Sequence, residues 1–103
     1  MATTPVTPKA GLVSEVAVGG TPVIVAPAGV NGGFITNPAS PTDQGLADAE
    51  TLYVDPVGAA GLEANGTTFA LAPGQSWSFI PGQTTTTSVN AQSAGHKFSV
   101  VYY

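Results

Sequence analysis

Cysteine and arginine are absent from this chain, and charge of either sign is scarce. Without cysteine there is neither a disulfide framework nor a thiolate site for metal or nucleophilic chemistry. Lys9 and Lys97 are the only strong bases, and so far apart in sequence they cannot build the basic surface that phosphate neutralisation demands. Nucleic acid is therefore not an expected partner, and an anionic membrane surface is disfavoured for the same reason. No apolar run approaches the roughly 20 residues of a membrane span. The opening MATTPVTPKAG has no basic start and no apolar middle, so the chain as written is not marked for export. Nor does any segment sustain a helical period, which leaves strands as the expected regular structure.

What is present fits one small domain. The 103 residues are 43% apolar and only 8% charged, with net charge −4, 13 Gly and 9 Pro. That length suffices for a single two-layer core, and the Gly/Pro content implies many short connections between strands. Enzymes that act on charged metabolites seldom have a surface this neutral, and surfaces that pack against other protein can.

The stretch TTFALAPGQSWSFIPGQ, Thr67 to Gln83, organises the rest. Period-two alternation on both sides of Pro73-Gly74 reads as two strands folded back on each other, with Gly74 taking the positive φ of a type II turn. Trp77 and Phe79 share one face of the second strand and supply its core area. Further strands are expected over Leu12–Val18 and Thr21–Ala26, joined as a hairpin across Gly19-Gly20. Gly33–Asn37, Thr51–Asp55 and His96–Tyr103 follow the same pattern, the last with Phe98, Val100 and Tyr102 on one face. Gln83–Ser93 reads as an edge strand or ordered loop, and Leu46–Glu50 as at most one helical turn. Seven to eight short strands at spacings of about ten residues predict an all-β fold, a single small β-sandwich of Ig-like or jelly-roll-like type over residues 12–103. Residues 1–11, Thr- and Pro-rich with little to bury, predict an extended N-terminal arm.

Candidate chemistry is thin. Asp43, Asp48, Glu50 and Asp55 carry oxygen ligands, but their spacing does not match a calcium loop, and a solvated acidic loop explains them better. His96, the single histidine, has no Gly-x-Ser-x-Gly elbow to serve and reads as a surface or interface residue. Asp55 and Glu63 could pair as glycosidase carboxylates only beside a cleft of sugar-stacking aromatics, which nothing suggests. Asn65-Gly66-Thr67 matches a glycosylation acceptor yet reads as a turn. No cofactor, metal or catalytic residue is expected, and the chain is not expected to be an enzyme. Tyr53, Ile80 and Tyr103 point away from the presumed core; with Thr3, Thr4, Pro5, Val6 and Pro8 of the arm they are the interface candidates.

Several motifs together carry a resemblance: Gly20–Ala26 (GTPVIVA), Asn31–Asn37 (NGGFITN), Leu52–Pro56 (LYVDP), Leu71–Ser76 (LAPGQS) with Ile80–Gly82 (IPG), and Val89–Ala91 before Phe98–Val100. Over residues 12–103 they resemble small β-sandwich virion proteins of tailed bacteriophages, of the capsid decoration or cement type. The resemblance implies a non-enzymatic structural protein on the outer surface of the capsid that binds and stabilises the major capsid protein lattice. It also implies an arm laid across neighbouring subunits; a homo-oligomer, trimer or dimer, is expected on such a shell because lattice symmetry axes are natural docking points. The alternative is a glycan- or receptor-binding module of a phage tail fibre or a cell surface.

Overall fold

In the computed structural model, which describes residues 5–103, the strands pair first with last, working inwards. In chain order they are β1 (Lys9–Ala10), β2 (Glu15–Val16), β3 (Val23–Ala26), β4 (Gly33–Thr36), β5 (Leu52–Asp55), β6 (Phe69–Leu71), β7 (Ser76–Ser78), β8 (Thr87–Asn90), β9 (His96–Lys97) and β10 (Ser99–Tyr102). β1 pairs with β10, β3 with β8, β4 with β7 and β5 with β6, all antiparallel. The chain is thus one long hairpin whose tip is the β5–β6 connection. Rolling it up adds two further ladders, β10 on β4 and β8 on β5. Two four-stranded sheets result, β1-β10-β4-β7 and β3-β8-β5-β6. That connectivity is a jelly roll, the second of the two sandwich types expected. The short β2–β9 ladder prolongs the β1–β10 edge beyond an irregular stretch at Gly11–Ser14, where Leu12 N–H donates instead to Val25 O of the other sheet.

Alternation fills the space between the sheets. Ile35, Phe98, Val100 and Tyr102 point inwards from one sheet, and Val25, Leu52, Val54, Leu71 and Val89 from the other. Each such side chain contributes about 1.5–3 kcal/mol of burial. Half-buried Trp77 closes one side of the sandwich, its ring 5.2 Å from Phe69 of the opposite sheet and 5.4 Å from Phe79.

Four local expectations are corrected. The Pro73-Gly74 turn forms, with Gln75 N–H donating to Ala72 O and Gly74 at φ 88°, but its flanking strands lie in different sheets. The turn is pinned to the end of β4, where Asn37 N–H donates to Gln75 O and Gly74 N–H to Asn37 O, so it is a corner and not a hairpin. The hairpin across Gly19-Gly20 does not form either. A turn does form there, closed by Thr21 N–H to Val18 O, but it leads from β2 to a strand of another sheet; Gly19 lies against the Gln92 backbone, where a Cβ would overlap the carbonyl, and Gly20 takes φ 81° while its N–H donates to Ala91 O. Thr87–Asn90, expected at an edge or in a loop, is a central strand buried at every position. The one helical turn among the described residues is α1 (Pro41–Gln44), not Leu46–Glu50. Ser40 Oγ accepts from Asp43 N–H and Pro41 needs no donor partner, which together start a helix there.

Candidate protein-docking face

The two sheets treat their outer faces differently. Outside β3-β8-β5-β6, the segment between β5 and β6 folds back over the sheet and is fastened by polar side chains. Ser88 Oγ accepts from Ala60 N–H and donates to Gly58 O, and Asn90 Nδ2 donates to Ala60 O. Asp55, 3% exposed, accepts from Val57 N–H and Gly58 N–H on one oxygen and from the Thr67 and Thr68 hydroxyls on the other, all at 2.8–2.9 Å. Burial by itself would raise the Asp55 pKa; the two backbone N–H groups and two hydroxyls outweigh it and hold the carboxyl below its ordinary value. This cover explains why β8, polar in sequence, is buried on both sides.

A carboxylate so fully engaged is structural. Glu63 is exposed and bonded to Asn65 Nδ2, with no shared cleft between it and Asp55. Asp43 lies in α1 and Glu50 accepts from Ser93 Oγ; among the described residues no three His, Asp or Glu side chains gather as a metal set. No helix among those residues is long and apolar enough to cross a membrane.

The outer face of β1-β10-β4-β7 is open. Register places Ala10, Val101, Phe34 and Ser78 in one row across the sheet, and Ser99, Thr36 and Ser76 in the next. None of these side chains is charged, and the Thr36 and Ser76 hydroxyls are bonded to each other at 2.6 Å. Val13, Ser14, Phe98 and Val101 join Phe34 and Thr36 around a groove of about 560 Å³. Phe34 stands 42% exposed over it. Sequence reasoning missed Phe34, although the signal was available. Ile35 and Phe34 are adjacent in a strand, so one of two large apolar residues must leave the core.

The interface candidates divide. Lys9 is opposite Tyr102 and Gly33 is opposite Tyr102 on the other side, while Phe79 N–H donates to Gly33 O. Pro8, Ile80 and Tyr103 therefore lie at one end of the sandwich, exposed and adjoining the row that contains Phe34; Pro5 and Val6, which precede them in the chain, are exposed too. Tyr53 is half-buried on the outer side of the other sheet, opposite Ala70 and Asn90, and does not join them. Thr3 and Thr4 lie outside the described residues.

His96 is corrected from surface to core: it is 0% exposed. It shares the inward parity of Phe98, Val100 and Tyr102 and pairs with buried Val16. Its Nε2 lies 2.9 Å from Asn37 Oδ1, which also accepts from Gln44 Nε2, so the ring carries its proton on Nε2. Asn37 Nδ2 donates to Glu50 O and Leu71 O, and Gln44 binds Glu50 at both ends of its amide. Among the described residues no hydroxyl is bonded to the ring, and the arrangement ties β4, α1 and β9 together. Burial lowers the His96 pKa below its ordinary value, and the Glu50 charge opposes this only in part.

No family model, curated protein or solved structure matches the chain.

Proposed function

We propose that this chain is a non-enzymatic structural virion protein, a capsid decoration protein that binds the major capsid protein lattice from outside and stabilises it. One observation carries the reading: the chain's own loop covers the outer side of β8 and β5, while the two outer rows of β1-β10-β4-β7 are left open and uncharged, with Phe34 exposed among small and hydroxyl side chains beside an exposed arm. An open, uncharged face with an exposed aromatic ring fits a protein surface better than a polyanion or a charged metabolite. The bacteriophage resemblance supports the same reading. Jelly rolls recur in viral shells, which is support by analogy alone.

On this reading the Phe34 row and the end bearing Ile80, Tyr103 and the Pro5–Pro8 arm make the contact. Copies arranged as dimers or trimers on lattice axes multiply a modest contact over the shell. The test mixes purified protein with undecorated shells and measures occupancy by sedimentation. Deleting residues 1–8, or replacing Phe34 with Glu, should reduce occupancy while the folded spectrum is kept. Undiminished occupancy in both variants would refute the assignment of the face.

A second reading, a glycan- or receptor-binding module, draws on the same groove, where an exposed ring stands among Ser and Thr hydroxyls. Glycan-array signal that disappears in Phe34→Ala would favour it over shell binding.

A further inference from the structure

The chain has four asparagines, and they differ sharply in the residue that comes after each and in their surroundings. We infer that Asn65 is a site of spontaneous covalent modification, converting through a succinimide to aspartyl and isoaspartyl forms, and that the other three are protected by the fold. The inference is independent of the proposed function.

The reaction needs a side-chain carboxamide, a free backbone N–H on the next residue, and room for a five-membered ring. Asn65 and Gly66 are both exposed. Gly66 N–H has no hydrogen-bond partner among the described residues. A Cβ added at Gly66 would meet nothing within 4 Å, so no neighbour blocks ring closure, and glycine itself adds no side chain to hinder attack. The carboxamide is held only by an exposed bond from its Nδ2 to Glu63 Oε2 at 3.0 Å, which water can replace.

Each of the others lacks a requirement. Asn31 also precedes a glycine, but Gly32 is buried beneath the Tyr103 ring and its N–H points to Tyr103 O at 3.3 Å. Asn37 is followed by Pro38, which has no N–H, and its carboxamide is fully engaged in the core. Asn90 is 2% exposed, and the following Ala91 N–H is bonded to Asn90 Oδ1.

The step balances without an oxidant or cofactor. Gly66 N gives its proton to hydroxide and bonds to Asn65 Cγ; the Cγ–Nδ2 bond breaks, and the nitrogen takes a proton from water and leaves as ammonia. Water then adds to either carbonyl of the succinimide. Opening at one carbonyl restores the main chain as aspartate; opening at the other routes it through the former side chain and inserts one extra main-chain carbon. Both products place a new carboxylate beside Glu63.

The insertion falls where the structure is sensitive to it. Thr68 N–H donates to Asn65 O at 3.0 Å, and this turn sets the Thr67 and Thr68 hydroxyls on Asp55. An isoaspartyl residue lengthens the turn and loosens the cover over the β3-β8-β5-β6 sheet.

The test incubates the intact chain in mildly alkaline buffer, folded and in urea, and maps peptides by mass spectrometry with isoaspartyl methyltransferase labelling. In the folded protein the Asn65 peptide should gain about 1 Da and accept label, a modification readable in mass as other covalent changes are. Asn31 should convert about tenfold or more slowly while folded, since it must wait for local opening, and at a similar rate to Asn65 in urea. Hydrogen exchange at Val57, Gly58 and Ala60 should quicken in the converted fraction, and Asn65→Gln should abolish the conversion. Equal folded-state rates at Asn31 and Asn65, or an Asn65 that converts only in urea, would overturn the inference.

Discussion

His96 Nε2 and Asn37 Oδ1 meet at 2.9 Å in the interior, joining β9 to the end of β4. Because burial depresses the His96 pKa, the unfolded chain binds this proton more readily than the folded one. The contribution is complete above the ordinary value of 6.5 and is lost progressively as pH falls from there towards the lower folded-state value. Thermal melts between pH 7 and 5 should show a falling Tm. His96→Gln, which keeps an N–H donor towards Asn37, should flatten that dependence. A wild-type Tm constant across this window would contradict the assignment of a buried neutral ring.

Asn37 bonds to four other residues in the core, Glu50, Leu71, Gln44 and His96. Removing it in Asn37→Ala strips partners from His96, Gln44 and the Leu71 carbonyl at once. The expected cost is about 2–4 kcal/mol, the range for a broken buried network. Urea denaturation measures it; a loss below about 1 kcal/mol, the size of one ordinary hydrogen bond, would show that the network is dispensable.

Asp55 has a second and lower pH window. Its folded-state pKa lies below 3.8, so its contribution is present above that value and disappears as pH falls through the folded-state value. Asp55→Ala should remove it at every pH and leave two backbone N–H groups and two hydroxyls without their acceptor, at a cost of about 2–3 kcal/mol. Hydrogen exchange should locate the damage in residues 56–68, with Ile35 and Val100 still protected. Uniform loss of protection through both sheets would mean that the cover is not a separate unit.

Phe34 should behave oppositely. It is 42% exposed and bonded to nothing, so Phe34→Glu should change stability by no more than about 0.5 kcal/mol. Binding to shells should nevertheless fall at least tenfold, about 1.4 kcal/mol. Destabilisation of several kcal/mol would place the ring in the core and withdraw it from the docking face.

Much of the fold is legible in the sequence because turn chemistry and alternation are local. Period two marks Ser99–Tyr102 and Leu52–Asp55, and the φ preference of glycine marks Pro73-Gly74. What a turn does not specify is where its flanks go. Ala72–Gln75 reverses the chain whether the next strand stays in its sheet or crosses to the other, and only contact with Asn37 decides. Thr87–Asn90 escapes a local reading for a related reason: Ser88 and Asn90 are acceptable inside only because Gly58 and Ala60 come back to meet them. His96 is the opposite case, since the alternation through Phe98, Val100 and Tyr102 already points it inwards. The proposed docking face is half visible: Ile80 and Tyr103 emerge from strand parity, and adjacency of Phe34 and Ile35 already requires one of them to turn outwards, but that Phe34 joins the row of Val101 and Ser78 is set only by register.

The first-with-last pairing also sets the order in which the molecule can be made. A nascent chain still short of Ser99 has the tip ladder β5–β6 within reach, but β1 has no strand to lie against and β4 lacks one of its two neighbours. Contacts so distant in sequence impose a slow, late closure, so folding waits until Ser99–Tyr102 has left the ribosome. Stalled or clipped products lacking that last strand should then remain open and be cleared by proteases before they reach any assembly.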